Sequence, residues 1–331
     1  MRLSAALATV LGLLILTGLL FWQGVGEVGR ALATAGWGLL LLVPIHLVIL
    51  AVDAVGLWVL FPRPRPAFST NVRVRWLGES VNQLLPVAQV GGEIAKVGLL
   101  RRAGVPGRIG AGAVVVALTA AAATQAVFGL LGVGLLLFSL GRHHLLPALL
   151  LGLGGFAILV GLFYRLQRRG LFGGLARRLA WLLGEKGGSE LATSAAGVDE
   201  AIQEIYRRRG ALASSLAWHL LGWVLGTAEV WVAMRLLGMP VSLGEALILE
   251  SVGQAVRGAA FLIPGALGVQ EGAYLALGAF MGLGPGVSLA LSLAKRAREL
   301  LLGLPGLATW QVSEGKGLWR WFRRLDAKRA G

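Results

Sequence analysis

Cysteine is absent from this chain, histidine occurs only four times in 331 residues, and charged side chains make up just 14% of it. Without cysteine no disulfide can form, and no thiolate is available as a nucleophile or a metal ligand. The histidines do not fill that gap. His46 and His219 stand alone, and His143-His144 is an adjacent pair in a polar loop, so none has metal-ligand spacing. Carboxylates are scarce as well, 16 Asp and Glu against 31 Lys and Arg, for a net charge of +15. A nucleotide loop is also missing. The stretch GVGEVG at 24–29 has the glycines of a dinucleotide fingerprint, but an apolar run precedes it where the fingerprint needs a strand. These absences leave no catalytic constellation, so neither an enzyme activity nor a cofactor is expected.

What the chain has instead is apolar sequence, 56% hydrophobic with a mean hydropathy of +0.75, and 50 glycines. That balance excludes an ordinary soluble domain and indicates a multi-spanning membrane protein, in which glycines let helices approach closely. Apolar runs of crossing length occupy 3–22, 37–60, 109–140, 145–164, 211–237 and 287–311. The first reads as a span and not a cleaved signal, because only Arg2 precedes it and no small-x-small site follows. Basic residues alternate with these runs. They occur in the proline-rich loop 62–75 with Arg63, Arg65, Arg73 and Arg75, at Arg101, Arg102 and Arg108, in the polar connector 165–210, and in the tail 312–331. The positive-inside rule puts these segments, and both termini, on the cytoplasmic side of a bacterial inner membrane. The connector reads as amphipathic helices on the anionic leaflet surface. Nucleic acid is excluded as a partner, since the basic residues form no single face.

Polar residues interrupt the apolar sequence twice, in matching order. ESVNQLLPVAQVGGEIAK at 79–96 and ESVGQAVRGAAFLIPGALGVQEGAY at 250–274 each begin Glu-Ser-Val-x-Gln and reach a proline and then a glutamate. Glu79 and Glu250 lie 171 apart, whereas Pro86 and Pro264, like Glu93 and Glu271, lie 178 apart. The extra seven residues are about two helical turns, which lengthens the first limb without rotating its polar face. Both copies end in a glycine-proline corner, at Gly104 to Gly107 and at Gly282 to Pro285. Basic flanks on both sides of the first copy make 76–100 a re-entrant hairpin, and counting back from the basic tail makes 243–282 a second one entering from the opposite face. The expected fold is an all-α integral membrane protein with about six full spans plus two oppositely oriented re-entrant hairpins, an inverted repeat of 1–140 and 145–311.

Candidate site residues follow from helical spacing. Glu79 and Gln83 share one face in the first copy, and Glu250, Gln254 and Arg257 share one in the second. Glu93, Lys96 and Glu271 follow turns whose Pro and Gly free backbone N–H groups for an anion. Span 287–311 adds Lys295, Arg296, Arg298 and Glu299; Lys295 and Glu299 are spaced to pair, leaving Arg296 and Arg298 in surplus. Together these twelve suggest a polar cavity for a lipid head group, with Arg296 or Arg298 on a phosphate. Asp53 and Glu229, inside spans, are either proton or cation sites or polar groups hydrogen-bonded to neighbours.

LLPVAQVGGEIAKVGLL at 84–100 and LIPGALGVQEGAY at 262–274 resemble the two signature stretches of the flippase-like membrane domain of lysylphosphatidylglycerol synthases. Within that superfamily the first wording is similar to the membrane protein associated with hopanoid biosynthesis. The resemblance covers nearly the whole chain. It implies lipid translocation between leaflets, with Glu93, Arg257 and Glu271 at motif positions, and membrane lipids, phospholipid or hopanoid, as partners. No soluble aminoacyl-transfer domain follows the membrane part, so lysyl transfer is not expected. A membrane-embedded lipid-modifying enzyme, or a scaffold for lipid-biosynthesis enzymes, is the alternative.

Overall fold

The computed structural model describes residues 25–85, 90–140, 146–179, 184–260 and 263–329, and among them the chain is all-α, with no strand. Helix α1 (Val25–Ala35) continues through a 3-10 stretch, Gly36–Leu41, into α2 (Leu42–Trp58). Pro62, Pro64 and Pro66 then end helical structure, because proline lacks an N–H and restricts the residue before it. Past the last of them α3 (Phe68–Leu84) begins at once. It therefore starts well before residue 76, the expected edge of the hairpin, and carries Arg73 and Arg75 on a helix instead of in a loop. The return limb is α4 (Gly91–Arg102). Gly104, at a φ of 88°, turns the chain into α5 (Gly107–Leu140).

In the second half, α6 (Leu146–Arg168) leads into the connector helices α7 (Leu171–Leu179) and α8 (Gly184–Arg207). After α9 (Arg209–Leu236), Ser242 opens α10 (Leu243–Ala259) with a capping box: its Oγ accepts from the Glu245 N–H, and Glu245 accepts from the Ser242 N–H. The return limb α11 (Val269–Phe280) ends at Gly282, φ 69°, and Pro285 starts α12 (Pro285–Arg329) at the position proline tolerates best. The expected span 287–311 and the basic tail are thus parts of one helix.

Four described stretches are long and apolar enough to cross a membrane: Val28–Trp58, Gly107–Phe138, Leu150–Arg168 and Arg209–Leu236. The expected span at 3–22, the turn at 86–89 and the loop holding His143 and His144 lie outside the described residues. The stretch 287–311 is not one of the four; Lys295, Arg296, Arg298 and Glu299 fall in its middle.

The first limb of each hairpin is received by the last helix of the other half: α3 packs on α12, and α10 on α5. Each contact uses a pair of glycines. A Cβ on Gly306 would lie 2.0 Å from the Ser80 hydroxyl, and one on Gly303 2.9 Å from the Leu84 side chain. On α5, a Cβ on Gly132 would lie 1.7 Å from the Ser251 hydroxyl, and one on Gly129 3.5 Å from Ala255. Helices α2 and α9 pack on each other between these contacts.

Two apolar cores result. One joins Leu42 of α2, Val133 of α5, Val230 of α9 and Leu291 of α12. The other joins Leu57 of α2, Val114 of α5 and Ile202 of α8, with Leu212 of α9 and Trp310 of α12 packed on it. The four long helices α2, α5, α9 and α12 therefore each touch both cores. His46 and Asp53 of α2, Thr119, Thr124 and Gln125 of α5, His219, Thr227 and Glu229 of α9, and Lys295, Arg296, Arg298 and Glu299 of α12 fall between the two points of contact.

Candidate functional site

A ladder of seven side chains crosses the space between the cores. Arg298 of α12 holds Glu229 of α9 at 3.0 Å, and the other oxygen of Glu229 meets Nδ1 of His46, on α2, at 3.1 Å. His46 Nε2 meets Glu79 of α3 at 2.8 Å. Glu79 pairs with Arg75 at 3.2 Å, Arg75 with Asp53 of α2 at 2.9 Å, and Asp53 with Nδ1 of His219, on α9, at 3.2 Å. Helices α2 and α9 thus exchange histidine–carboxylate contacts, His46 to Glu229 and His219 to Asp53. Helical spacing makes this possible: His46 and Asp53 are seven apart, which places both on the same face of α2.

The charges of the second hairpin form two further groups. Lys295 is bound to Glu250, both nearly inaccessible to solvent. Arg257 is bound to Glu299, whose other oxygen holds Arg296 at 3.3 Å, and Arg296 reaches Glu271 at 3.1 Å. The expected pairing of Lys295 with Glu299 does not form, and Arg296 and Arg298 are not surplus cations. The partners sit on neighbouring helices, because a four-residue spacing along α12 competes with carboxylates delivered by α9, α10 and α11.

Both hairpins repeat one local device. Gln83 donates to Glu79 at 2.8 Å, and Gln254 donates to Glu250 at 2.9 Å, each across one turn. The turns diverge. Glu271 is fully buried and accepts from the Gly268 N–H at 2.7 Å and from the Ser292 hydroxyl at 3.1 Å, while Arg296 also donates to the Gly265 carbonyl at 2.5 Å. Gly265 and Gly268, at φ of 59° and 79°, supply the left-handed backbone this turn needs. In the first hairpin Glu93 pairs with Lys96 at 2.7 Å, and Asn82 accepts from the Gly92 N–H at 2.7 Å. Of the turn N–H groups expected to be free for an anion, those of Gly92 and Gly268 are bound by the protein's own side chains.

Two small cavities flank the ladder. The larger set of polar groups lines a space of about 190 Å³, walled by His46, Glu79 and Gln83 on one side and by Glu229, Gln254, Arg257 and Glu299 on the other. A second space of about 200 Å³ holds Glu93, Lys96, Gln125 and His219. Asp53, Arg75, Asn82 and Trp223 line both and so stand between them. Of the expected site residues, the first space brings together Glu79, Gln83, Glu250, Gln254, Arg257, Glu299 and Arg298 with Asp53 and Glu229. Glu93 and Lys96 line the second. Glu271, Lys295 and Arg296 line neither; Lys295 and Arg296 are bound to Glu250 and Glu299, which line the first. No group of three metal-ligating side chains occurs among the described residues.

Four members were not singled out from the sequence. His46 and His219 were set aside as lone histidines, Arg75 was assigned to a basic loop, and Asn82 carried no signal. The four-residue step from Arg75 to Glu79 and the seven-residue step from His46 to Asp53 were the available signs.

This fold and site define a class: a polytopic helical membrane protein with a charged, largely ion-paired interior between two apolar cores. The chain belongs to the family described as lysylphosphatidylglycerol synthase TM region, whose model matches residues 9–306. Comparison with curated proteins and with solved structures gave no match.

Proposed function

We propose that the protein moves an amphipathic lipid between the leaflets of the bacterial inner membrane, its head group passing through the 190 Å³ cavity while its tails stay in lipid. The carrying observation is that this polar space is lined by the first limbs of both hairpins, α3 and α10, together with α2, α9 and α12, and lies between two apolar cores. Ion pairs in such a place are expensive, because removing charges from water is rarely repaid in full, and charges kept inside a membrane protein mark a substrate or ion path. Membership of a family named for the membrane region of a lipid synthase supports a lipid as the ligand.

The exchanged packing, α3 on α12 and α10 on α5, supports reading the two halves as an inverted repeat whose hairpins are re-entrant gates. A phosphate-bearing head group suits the cavity best. It would take Arg257 or Arg298 from Glu299 or Glu229, so that substrate and carboxylate compete for one cation. A hopanoid-type lipid is the second candidate, on the wording of the first signature stretch.

Reconstituted vesicles test this directly. Fluorescent phospholipid should become accessible to an impermeant quencher faster with the protein than without it, and Arg298→Ala should slow it. Equal rates with and without protein, for both phospholipid and hopanoid, would remove the reading. A modified lipid formed by the purified protein would point to an enzyme, and stoichiometric co-purification with a biosynthetic enzyme without lipid movement would point to a scaffold.

A further inference from the structure

His46 meets two opposed demands at one nitrogen. Its Nε2 lies 2.8 Å from a Glu79 oxygen, which needs a donor, and 3.1 Å from Nη1 of Arg298, which needs an acceptor. Its Nδ1 lies 3.1 Å from Glu229. A neutral imidazole has one N–H and can satisfy only one carboxylate, whereas an imidazolium donates to both.

The charges along the ladder agree. Asp53, Glu79 and Glu229 supply three carboxylates, and Arg75 and Arg298 supply two fixed cations. The other two groups, Glu250 with Lys295 and Glu271 and Glu299 with Arg257 and Arg296, balance internally. One charge is missing, and it is missing on this ladder alone. His219 offers no such bridge: its Nδ1 meets one carboxylate, Asp53, and its buried Nε2 has no hydrogen-bond partner, whereas His46 has a carboxylate at each nitrogen.

We propose that His46 is the proton-binding residue of the cavity, and that its proton decides whether Glu79 of α3 is bridged through the ring to Glu229 of the second half. In the protonated state His46 bridges Glu79 of α3 to Glu229 of α9. When Nε2 gives its proton to water, leaving a neutral ring and a hydronium ion, its lone pair turns to the Arg298 N–H already within reach. Glu79 then keeps only Arg75 and Gln83, both on its own helix. The ionic link through the ring from Glu79 to Glu229 is lost. Helix α3 is then held to the second half by its packing on α12, by the Trp76 bond to the Leu302 carbonyl and by the Arg75–Asp53–His219 arm of the ladder, a weaker attachment that lets it move as a gate. Among the described residues the ionisable groups in contact with the ring are Glu79, Glu229 and Arg298; Asp53, Arg75, Glu250, Arg257 and Glu299 line the same cavity, each in an ion pair of its own, and Arg108 of α5 lies out on Glu200. Resting on the lipid-transport reading, this makes lipid movement coupled to a proton.

Two measurements separate the site from the transport. In nanodiscs with ¹⁵N-histidine, assigned using His46→Gln and His219→Gln, both His46 nitrogens should be protonated at neutral pH; a bare ring nitrogen there would overturn the proposal. Glu229→Gln, which keeps the ring but removes one carboxylate, should shift that signal change to lower pH, and no shift would count against the bridge. In vesicles carrying an internal pH dye, lipid movement should respond to an imposed pH gradient and carry protons. His46→Gln, whatever its rate, should lose the gradient response. A wild-type response absent from the start, or one that persists in His46→Gln, overturns the coupling. If the wild type moves no lipid, the transport reading fails and the nitrogen signals alone decide the site.

Discussion

Lys295 is 2% exposed, and its partner Glu250 is 3% exposed, so each is tolerable only because of the other. Removing the carboxylate leaves a buried ammonium ion without its counter-charge. Glu250→Ala should therefore lose about 3–5 kcal/mol, whereas the double change Glu250→Leu with Lys295→Met, which removes both charges and keeps volume, should lose much less. Thermal unfolding in detergent followed by fluorescence-detected gel filtration reads both; a double variant no better than the single one would show that the pair is not the source of the loss. At this scale the sequence was readable in kind but not in partnership. Charges inside apolar sequence announce themselves, and Glu250, Gln254 and Arg257 were recoverable from helical spacing. Which carboxylate Lys295 would choose was not, because Glu250 lies 45 residues away and only packing brings it nearer than Glu299. The same limit hid His46, whose partners come from three other helices.

Hairpin geometry belongs to the element. The limbs α3 and α4 cross so closely that a Cβ on Gly92 would stand 2.1 Å from the Gly78 carbonyl oxygen and 2.5 Å from Asn82. A backbone atom cannot rotate aside, so Gly92→Ala must push the limbs apart and break the Asn82 contact with the Gly92 N–H. The expected loss is about 1–3 kcal/mol from overpacking. Gly272, early in α11, has open space where its Cβ would be, and Gly272→Ala should be neutral or gain up to about 1 kcal/mol in helix propensity. Melting temperatures of the two variants decide it, and a Gly272→Ala variant as weak as Gly92→Ala would refute the distinction. The repeat itself was visible as sequence, since Glu-Ser-Val-x-Gln recurs, and the serine of each copy is the residue that meets a glycine across the halves. The start of α3 was not, because basic residues next to prolines read as a loop until the helix is seen to begin directly after Pro66.

The whole molecule separates its two ends by chemistry. Phe61, Val105 and the connector residues Ile202 and Ile205 gather in one core, close to the basic corner at Arg101 and to Arg108, which lies 3.9 Å from Glu200 of the connector. Leu237, Val241 and Leu283 gather in the other core, with the short corners that carry almost no charge. If the positive-inside rule orients this chain, the basic end is cytoplasmic and the hairpins enter from opposite faces. The absence of native cysteine makes the question unusually clean, because any thiol introduced is the only one present. Single variants Arg101→Cys and Arg177→Cys should resist an impermeant maleimide added to intact spheroplasts and react once the membrane is opened, while Met239→Cys and Gly284→Cys should react from outside at once. Labelling of all four from one side would place both hairpins on the same face. An inverted pair of gates would then be impossible, and alternating access through the His46 ladder would have to be abandoned with it.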